Sequence, residues 1–498
     1  MPACATGGLW HVSLGKFGGA AEVRDRLRYF PHICALFVAL TLGLAPAYAQ
    51  SVAQDVELPI ASGRPFDIDV GDDPILAMSR DSVAVERFRT AVAQAVAASP
   101  VAAEALAMTV EAEAARREAK SALFPVIDLG ISGSQSIARK FSNDPNLIVE
   151  RSRPARRFDA TAAVQQTLYD FGAARRRVEA ASSRIVAATA DADQKTAAVA
   201  LRAIGSWYDV FAYDTLSRLG RTYLTNQQDL RSAVDARIRQ GVSARVERAR
   251  VDSAIASAEL RLAQFNRALS NAQARYAEIF KASPDDELGR APPPTGAWQS
   301  RDAVIARAKK SPAVKSAQAL AKAAEADARA ARADTLPTVS AGIDAGRYGI
   351  LENGREDYDV RARIAIRQHL LGPGVARKDQ AFARADAQRA RALAVEDEAV
   401  REANIAWSDV EALHDMMPSY QANYLSARMT RDAVVERFRV SRGTLFDVLD
   451  AEDRFFDAAA NYIRALSEYD SARYVLLARS GQLLEVLEIL PAAGQPKR

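Results

Sequence analysis

Few residues in this chain could make or break bonds. The 498 residues hold four histidines and two cysteines. Cys4, Cys34, His11 and His32 fall within the first 49 residues, which leaves His369 and His414 beyond them. Two isolated histidines are thin material for general acid–base or metal chemistry, which needs several groups converging on one point. There is no glycine-rich phosphate loop, no nucleophile elbow and no paired metal-ligand spacing. The sequence therefore predicts no enzyme, no cofactor and no metal. The chemistry it does carry is electrostatic. In YDVRARIAIRQ, residues 358–368, Asp359, Arg361, Arg363 and Arg367 alternate with Tyr358, Val360, Ala362, Ile364 and Ile366. At period two this is a strand with one charged face and one apolar face.

The rest of the chain must explain what such a strand meets. Apolar residues make up 49% and charged residues 26%, an ordinary balance for folded protein. The net charge of +4, with signs interleaved, leaves no basic footprint for nucleic acid. Arg24, Arg26 and Arg28 precede an apolar run from Ile33 to Leu44, followed by the small-x-small pattern Ala47-Tyr48-Ala49. The run is about a dozen residues, where a membrane-spanning helix needs ~20, so 1–49 is expected to be a signal peptide. An exported chain without its leader has no cysteine and uses no disulfide. No small-residue lipidation box precedes Cys34, so no lipid anchor is expected.

Beyond the leader the chain reads as two copies of one unit. Ser99-Pro100 and Ser311-Pro312 each open an Ala-rich helical stretch, which runs to Pro125 and Pro337. These pairs lie 212 apart, as do Gly130 and Gly342. Gly172 and Gly374 lie 202 apart, as do Gly241 and Gly443, so the first strand-to-strand loop is expected to be longer by ten residues. Trp207 and Trp407, each in a WxDV context, lie 200 apart. The stretches between the paired glycines are rich in Ala, Arg, Glu and Leu. Each reads as one unbroken helix of roughly 100 Å at 1.5 Å per residue. Leu216, Leu219, Tyr223, Leu230, Val234 and Ile238, then Val251, Ile255, Leu262, Phe265, Leu269, Tyr276 and Ile279, recur at coiled-coil spacings. Gly241 and Gly443 then mark the tips of two long antiparallel hairpins. The expected layout is an irregular segment at 50–80 and a first repeat at 81–280, with strands near 126–137 and 158–168. A Pro/Gly-rich linker at 281–300 leads to a second repeat at 301–489, with strands near 338–346 and 358–368, and a tail at 490–498.

All four strand-like segments alternate apolar and polar residues and suit a tilted membrane strand of ~9–11 residues. The helices are occupied in pairing with one another, so the apolar strand faces have no internal partner. Four strands cannot enclose a barrel, because the smallest single-chain barrels have ~8. Three copies would supply twelve. Arg361, Arg363 and Arg367 would then face a water-filled pore, and Ile364 and Ile366 would face lipid. The loops at 138–157 and 346–357 would lie outside the cell, and the helices in the periplasm.

At this point the chain resembles the TolC family of outer-membrane channel-tunnel proteins. The likeness rests on Pro100 and Pro312 after serine, on LFP and TLP before the strands, and on QQTLYDFG. It rests most on RIRQGVSARVERARVDSAIASAEL and RFRVSRGTLFDVLDAEDRFFDAAANYIRALSEYDSARYVLLARSGQLL, and it covers roughly 81–489. The resemblance implies a mainly α fold with a small transmembrane β part: a homotrimer with a twelve-stranded barrel and a long α-helical tunnel of antiparallel hairpins. It implies that substrates pass from an inner-membrane transporter, through a periplasmic adaptor, to the outer membrane. By the same resemblance Gly241, Val242, Ser243, Gly443 and Thr444 form the adaptor-facing tips. FDVLDAE matches the segment carrying a ring of inward aspartates, a role that falls on Asp447 and Asp450. They are three residues apart on one helix face, and carboxylates around a narrow opening favour cations. Arg245 and Glu247 stand at the 202 spacing from Asp447 and Leu449, so the ring is not extended to the first repeat. Ser441 stands where the family commonly has glycine.

The tip sequences look more like members that serve type I secretion of large proteins than like lipidated drug-efflux members. The expected function is a passive duct of a type I secretion system. The alternatives are the outer-membrane factor of a small-molecule pump and, from another class, a periplasmic adaptor or coiled-coil scaffold.

Overall fold

The computed structural model describes residues 58–140, 154–241, 244–285, 288–294, 300–351, 357–370 and 372–491. The leader, Val242, Ser243, most of the first strand loop and the tail beyond 491 lie outside them. The helices are α1 (Pro74–Ala77), α2 (Val85–Ala97), α3 (Pro100–Ser121), α4 (Ala173–Arg239), α5 (Arg245–Phe280), α6 (Arg301–Ala308), α7 (Pro312–Ala333), α8 (Gly374–Arg439), α9 (Leu445–Arg479) and α10 (Leu483–Val486). The strands are β1 (Val126–Gln135), β2 (Arg156–Tyr169), β3 (Thr338–Tyr348) and β4 (Asp357–Arg367).

The helices stand in four columns. On one flank α4 packs against α3 and α5, and on the other against α7 and α9; among the long helices α8 packs on the α7/α9 column, and it also meets α6. The column order is therefore α3/α5, α4, α7/α9, α8. Small residues permit the close approach: Ala180, Ala187, Ala200 and Ala203 are buried on α4, and Ala319, Ala326 and Ala330 on α7. With both flanks covered, α4 buries residues from Ala173 to Val234, whereas buried positions thin out along the edge helix α8. The sheet repeats this order: β1, β2, β3, β4, every pair antiparallel.

Pairing in the sheet separates two faces. On one, Leu129, Ala162, Ala345 and Val360 stand in register, as do Ile127, Val164, Ile343 and Ala362. On the other lie Asp128, Ala163, Asp344 and Arg361 in one row and Gly342 beside Arg363 in the next. The apolar face is uncovered: Leu129 is 80% exposed, Ile131 87% and Ile364 75%.

Two segments read as irregular are packed into the helices. In the linker, Trp207 Nε1 donates to Gly289 O (3.0 Å), Tyr208 Oη to Ala291 O (3.2 Å) and Tyr474 Oη to Pro292 O (2.8 Å). Arg290 is buried against the fully buried Asp470, with Nη2 at 2.7 Å. The N-terminal segment from Leu58 to Arg80 lies against α4, α8 and α9. Leu58, Ile75, Leu76 and Met78 share a core with Leu216, Leu219, Tyr424 and Phe455. Asp73 caps α1 by accepting from Ile75 N and Leu76 N (both 2.9 Å), and it also accepts from Tyr424 Oη (2.9 Å) and pairs with Arg428. Arg431 Nη2 donates to Pro59 O at 2.7 Å. This strap spends its backbone and carboxylate groups on α8, which a free loop would leave to water.

One expectation is qualified and one is corrected. The second long helix runs unbroken as expected, but it does so with Pro418 inside it. The helix continues through it although the ring removes one ladder bond, at an intrinsic cost of about 3 kcal/mol. The repeat spacing is also 200, not 202, beyond the first strand loop. The left-handed glycines before the long helices are Gly172 (φ 86°) and Gly372 (φ 131°), and the left-handed residues after them are Gly241 (φ 74°) and Ser441 (φ 61°). Matching by glycine identity paired Gly172 with Gly374 and Gly241 with Gly443. Matching by backbone conformation agrees with Trp207 and Trp407, and the first strand loop is longer by twelve residues.

Candidate functional site

The two hairpin tips meet the requirements of a helix end in different ways. At the first, Gly241 N–H donates to Ile238 O (3.0 Å), and glycine takes the left-handed turn without a Cβ clash. At the second, Ser441 N–H donates to Phe438 O (3.0 Å) and Arg442 N–H to Arg437 O (2.8 Å). That is a Schellman motif with serine at its left-handed position. Gly443 serves another purpose, a close approach: a Cβ there would stand 3.2 Å from Phe438 N, a tight contact. Thr444 then caps α9. Its Oγ1 accepts from Asp447 N (3.2 Å), while the Asp447 carboxylate accepts from Thr444 N (3.3 Å), a reciprocal capping box. The first tip begins α5 at Ala244 with no side-chain cap. The tips also touch. Arg237 donates to Phe438 O and Ser441 Oγ (both 3.3 Å), and its guanidinium lies 4.3 Å from the Phe438 ring centre.

Asp447 and Asp450 lie in one groove of about 610 Å³ between α8 and α9. Asn423, Thr430 and Arg437 come from α8, and Asp447, Asp450, Arg454, Asp457 and Asn461 from α9. Asp450 pairs with Arg454 at 3.0 Å. Further along, a second depression of about 800 Å³ is flanked by Asp209 of α4, Asp409 and Tyr420 of α8, and Arg464 and Glu468 of α9. On α9 the residues 447, 450, 454, 457, 461, 464 and 468 recur every three or four positions, so one polar stripe runs through both depressions. Three carboxylates and two guanidiniums line the groove at the tip, an excess of one negative charge per chain.

The stripe is tied to the first hairpin. Arg261 of α5 bridges Asp453 (2.8 Å) and Asp457 (3.0 Å) of α9, and Tyr223 Oη of α4 donates to Asp453 (3.3 Å). Partial burial holds the Asp457 carboxyl above its ordinary value, with Arg261 opposing. Asp209 is likewise raised by burial, against the pull of Arg275.

Of the residues expected at this site, the structure brings together Asp447, Asp450, Thr444 and Gly443, with Gly241 on the neighbouring tip. Val242 and Ser243 lie outside the described residues. Arg361, Arg363 and Arg367 share the polar face of the sheet, where Arg361 pairs with Asp359, and Arg363 lies 3.6 Å from Asp344. The sequence reading missed Arg437, Arg454, Asp457 and Glu468. Continuing the spacing of Asp447 and Asp450 along α9 would have found the last three. The 200 spacing also sets Glu247 opposite Asp447 and Arg250 opposite Asp450. The first repeat therefore keeps the first-turn acid and reverses the second charge.

No group of three or more His, Cys, Asp or Glu positioned to hold a metal occurs among the described residues. Long paired helices ending in a two-faced sheet with an uncovered apolar side define an outer-membrane channel. The profile described as "Outer membrane efflux protein" matches residues 91–279 and 306–482, and the chain belongs to that family. The chain is 22% identical over 374 residues to the outer membrane efflux protein BepC of Brucella suis biovar 1, covering 73% of this chain and 78% of that one. Its fold is similar to the outer-membrane channel OprN (TM-score 0.70, 20% identity, 81% of this chain and 91% of that chain). It is also similar to the CmeC outer membrane channel of Campylobacter jejuni (TM-score 0.70, 15% identity, 86% and 93%). At such identities the solved structures speak for the fold alone. The protein is a non-enzymatic transport component of the outer membrane. Channels of this family are trimers that work with periplasmic adaptors and inner-membrane pumps. The adaptor or scaffold alternative falls with the family assignment.

Proposed function

We propose that this chain forms a passive trimeric duct whose narrow periplasmic mouth is lined by Asp447 and Asp450, and that the mouth selects for cations. The observation that carries the reading is the groove in which both carboxylates share one face of α9. Low-dielectric walls focus the field of such a site. Arg454 and Arg437 temper the charge, so the selectivity is modest. Arg361, Arg363 and Arg367 lie on the pore side of the barrel, where the pairing of Arg361 with Asp359 and of Arg363 with Asp344 offsets part of their charge. Gly241, Gly443 and Thr444 belong to the surface an adaptor meets, and the resemblance assigns Val242 and Ser243 to the same role.

For the cargo, the family description and the name of BepC support efflux, and our first reading is the outer-membrane factor of a small-molecule pump. Type I secretion, the expectation from the tip sequences, is the second reading. Deleting the gene and measuring drug susceptibility beside the profile of secreted proteins separates them. Sensitisation with an unchanged secretome supports efflux; a lost secreted protein at unchanged susceptibility supports type I secretion. Conductance of the purified trimer in a planar bilayer tests the mouth. Cation-selective steps that lose selectivity in Asp447→Ala/Asp450→Ala support it, and selectivity unchanged in that variant removes the assignment.

A further inference from the structure

The WxDV sequence of each repeat turns its two conserved-type side chains to opposite sides of a helix. Trp207 is buried and donates to Gly289 O of the linker. Trp407 packs on the cluster of Val304, Ala308 and Leu476. On an α-helix the residue two positions on lies about 200° round the axis, so Asp209 and Asp409 leave α4 and α8 on the side away from the tryptophans. α9 packs against both of these helices. The two aspartates therefore reach one open depression of about 800 Å³, to which α9 adds Glu468.

The charges of this depression do not cancel. Arg464 is the one cation among its described lining residues, and its guanidinium lies over the Phe265 ring, 5.6 Å from the centre. Arg275, outside the lining, offsets Asp209 in part at 3.7 Å. The carboxylates of Asp409 and Glu468 have no ion pair or hydrogen bond among the described residues. Around them the wall is apolar and aromatic, with Tyr213 from α4, Leu413, Met416 and Tyr420 from α8, and Val475 from α9. Ser467 also lines the depression; it is 8% exposed, and its hydroxyl has no partner among the described residues. Buried hydroxyls are ordinarily partnered, so the depression offers a hydrogen bond as well as charge and apolar surface.

We propose that this depression binds amphipathic organic cations, with an ammonium-type head held by Asp409 and Glu468 and an apolar body against Tyr213, Met416 and Tyr420. Tyrosine rings attract such a head as well. The volume falls within the ~300–1,000 Å³ of small-molecule sites, and the open side lets a ligand leave again, as conduction requires. The inference rests on the reading of this chain as a duct for small molecules: the polar stripe of α9 that carries Asp447 and Asp450 continues to Glu468, so the depression lies on the same face as the mouth.

The test is equilibrium binding of ethidium, an amphipathic cation, to the purified full-length trimer. Wild type is expected to bind it saturably, one per chain. Asp409→Asn/Glu468→Gln should weaken binding about tenfold. Ala412→Phe, which narrows the depression and keeps every carboxylate, should weaken it similarly. Glu411→Gln/Asp415→Asn removes the same charge from α8 outside the depression and should leave affinity unchanged; an equal loss there would reduce the binding to diffuse attraction and overturn the site. All variants are first shown to remain trimers in detergent. Affinity unchanged in both depression variants would overturn the proposal outright. The two readings fail separately. Ethidium bound as expected, in a protein whose deletion leaves drug susceptibility unchanged, would refute the efflux reading and support the site; sensitisation without ethidium binding would do the reverse.

Discussion

Arg231 and Arg431 occupy the same place in the two repeats, and so do their partners Asp252 and Glu452. In the first hairpin Arg231 Nε lies 3.0 Å from Asp252, with both side chains more than 40% exposed. In the second, Arg431 is 1% exposed. It donates to Asp432 Oδ1 (2.6 Å) and Pro59 O (2.7 Å), lies 3.6 Å from Glu452, and faces Phe455 with its guanidinium 4.2 Å from the ring centre. The difference is the N-terminal strap, which packs on α4 as well as on the second hairpin and places its Pro59 carbonyl on Arg431. Duplication supplied one ion pair twice, and the strap turned one copy from a solvated contact into a buried network. Buried pairs and exposed pairs obey different arithmetic, because desolvation raises the cost of leaving either partner alone.

The sharpest way to break the comparison is to remove both arginines in turn. Arg431→Ala should destabilise the protein by about 3–5 kcal/mol, while Arg231→Ala should change stability by less than about 1 kcal/mol. Chemical denaturation with one probe per hairpin reads both, and equal losses would show that the strap adds nothing. The second contrast is between the tips. Asp447→Ala/Asp450→Ala should abolish cation selectivity in reversal-potential measurements, and Glu247→Ala should leave most of it, since Arg250 already offsets that acid. Selectivity lost equally from Glu247→Ala would make the two tips one ring.

A smaller effect lies in the backbone. Gly241→Ala should destabilise by about 1 kcal/mol, and Ser441→Gly should stabilise by a similar amount, because both positions are left-handed and only one has a glycine. Thermal unfolding of the pair should show shifts of opposite sign. The smallest is a pH effect. Burial holds the Glu452 carboxyl above its ordinary value, with Arg431 pulling the other way. The folded chain thus keeps that proton to higher pH than the unfolded chain does, and stability falls as pH rises from about 4.5 through the folded value. Glu452→Gln should match wild type below that window and gain on it above. An unchanged difference across pH 4–7 would remove Glu452 as the cause.

The strand alternation and the long helices were legible because each reflects a local period: two for the sheet, three and four for the coiled helices. The aspartate pair was legible only through a resemblance, since Asp447 and Asp450 look like any solvated acids until Asn423 and Arg437 are brought beside them by α8. What could not be read is what a non-local contact decides. Nothing near Asp73 announces Tyr424 and Arg428, and nothing in the sequence around Arg290 announces Asp470. The glycine match misled for a physical reason. A left-handed turn is a property of the backbone, and Ser441 adopts it while Gly443 serves a close approach to Phe438. Pro418 shows the reverse, a strong local breaker overruled by the packing of α8 on α9.

The coincidence of strand order and column order has a consequence for inheritance. Each chain is an open stave, β1 with α3/α5 at one margin and β4 with α8 at the other, and both margins must be met by a sibling at once. No conduit is made by one chain alone, so an altered chain is distributed among its siblings and not confined to its own product. In a cell expressing wild-type and tip-altered chains together, the share of wholly normal conduits falls as the cube of the wild-type fraction in a trimer. A lesion at Asp447 or at the Arg431 network would then behave as dominant over a normal second copy of the gene.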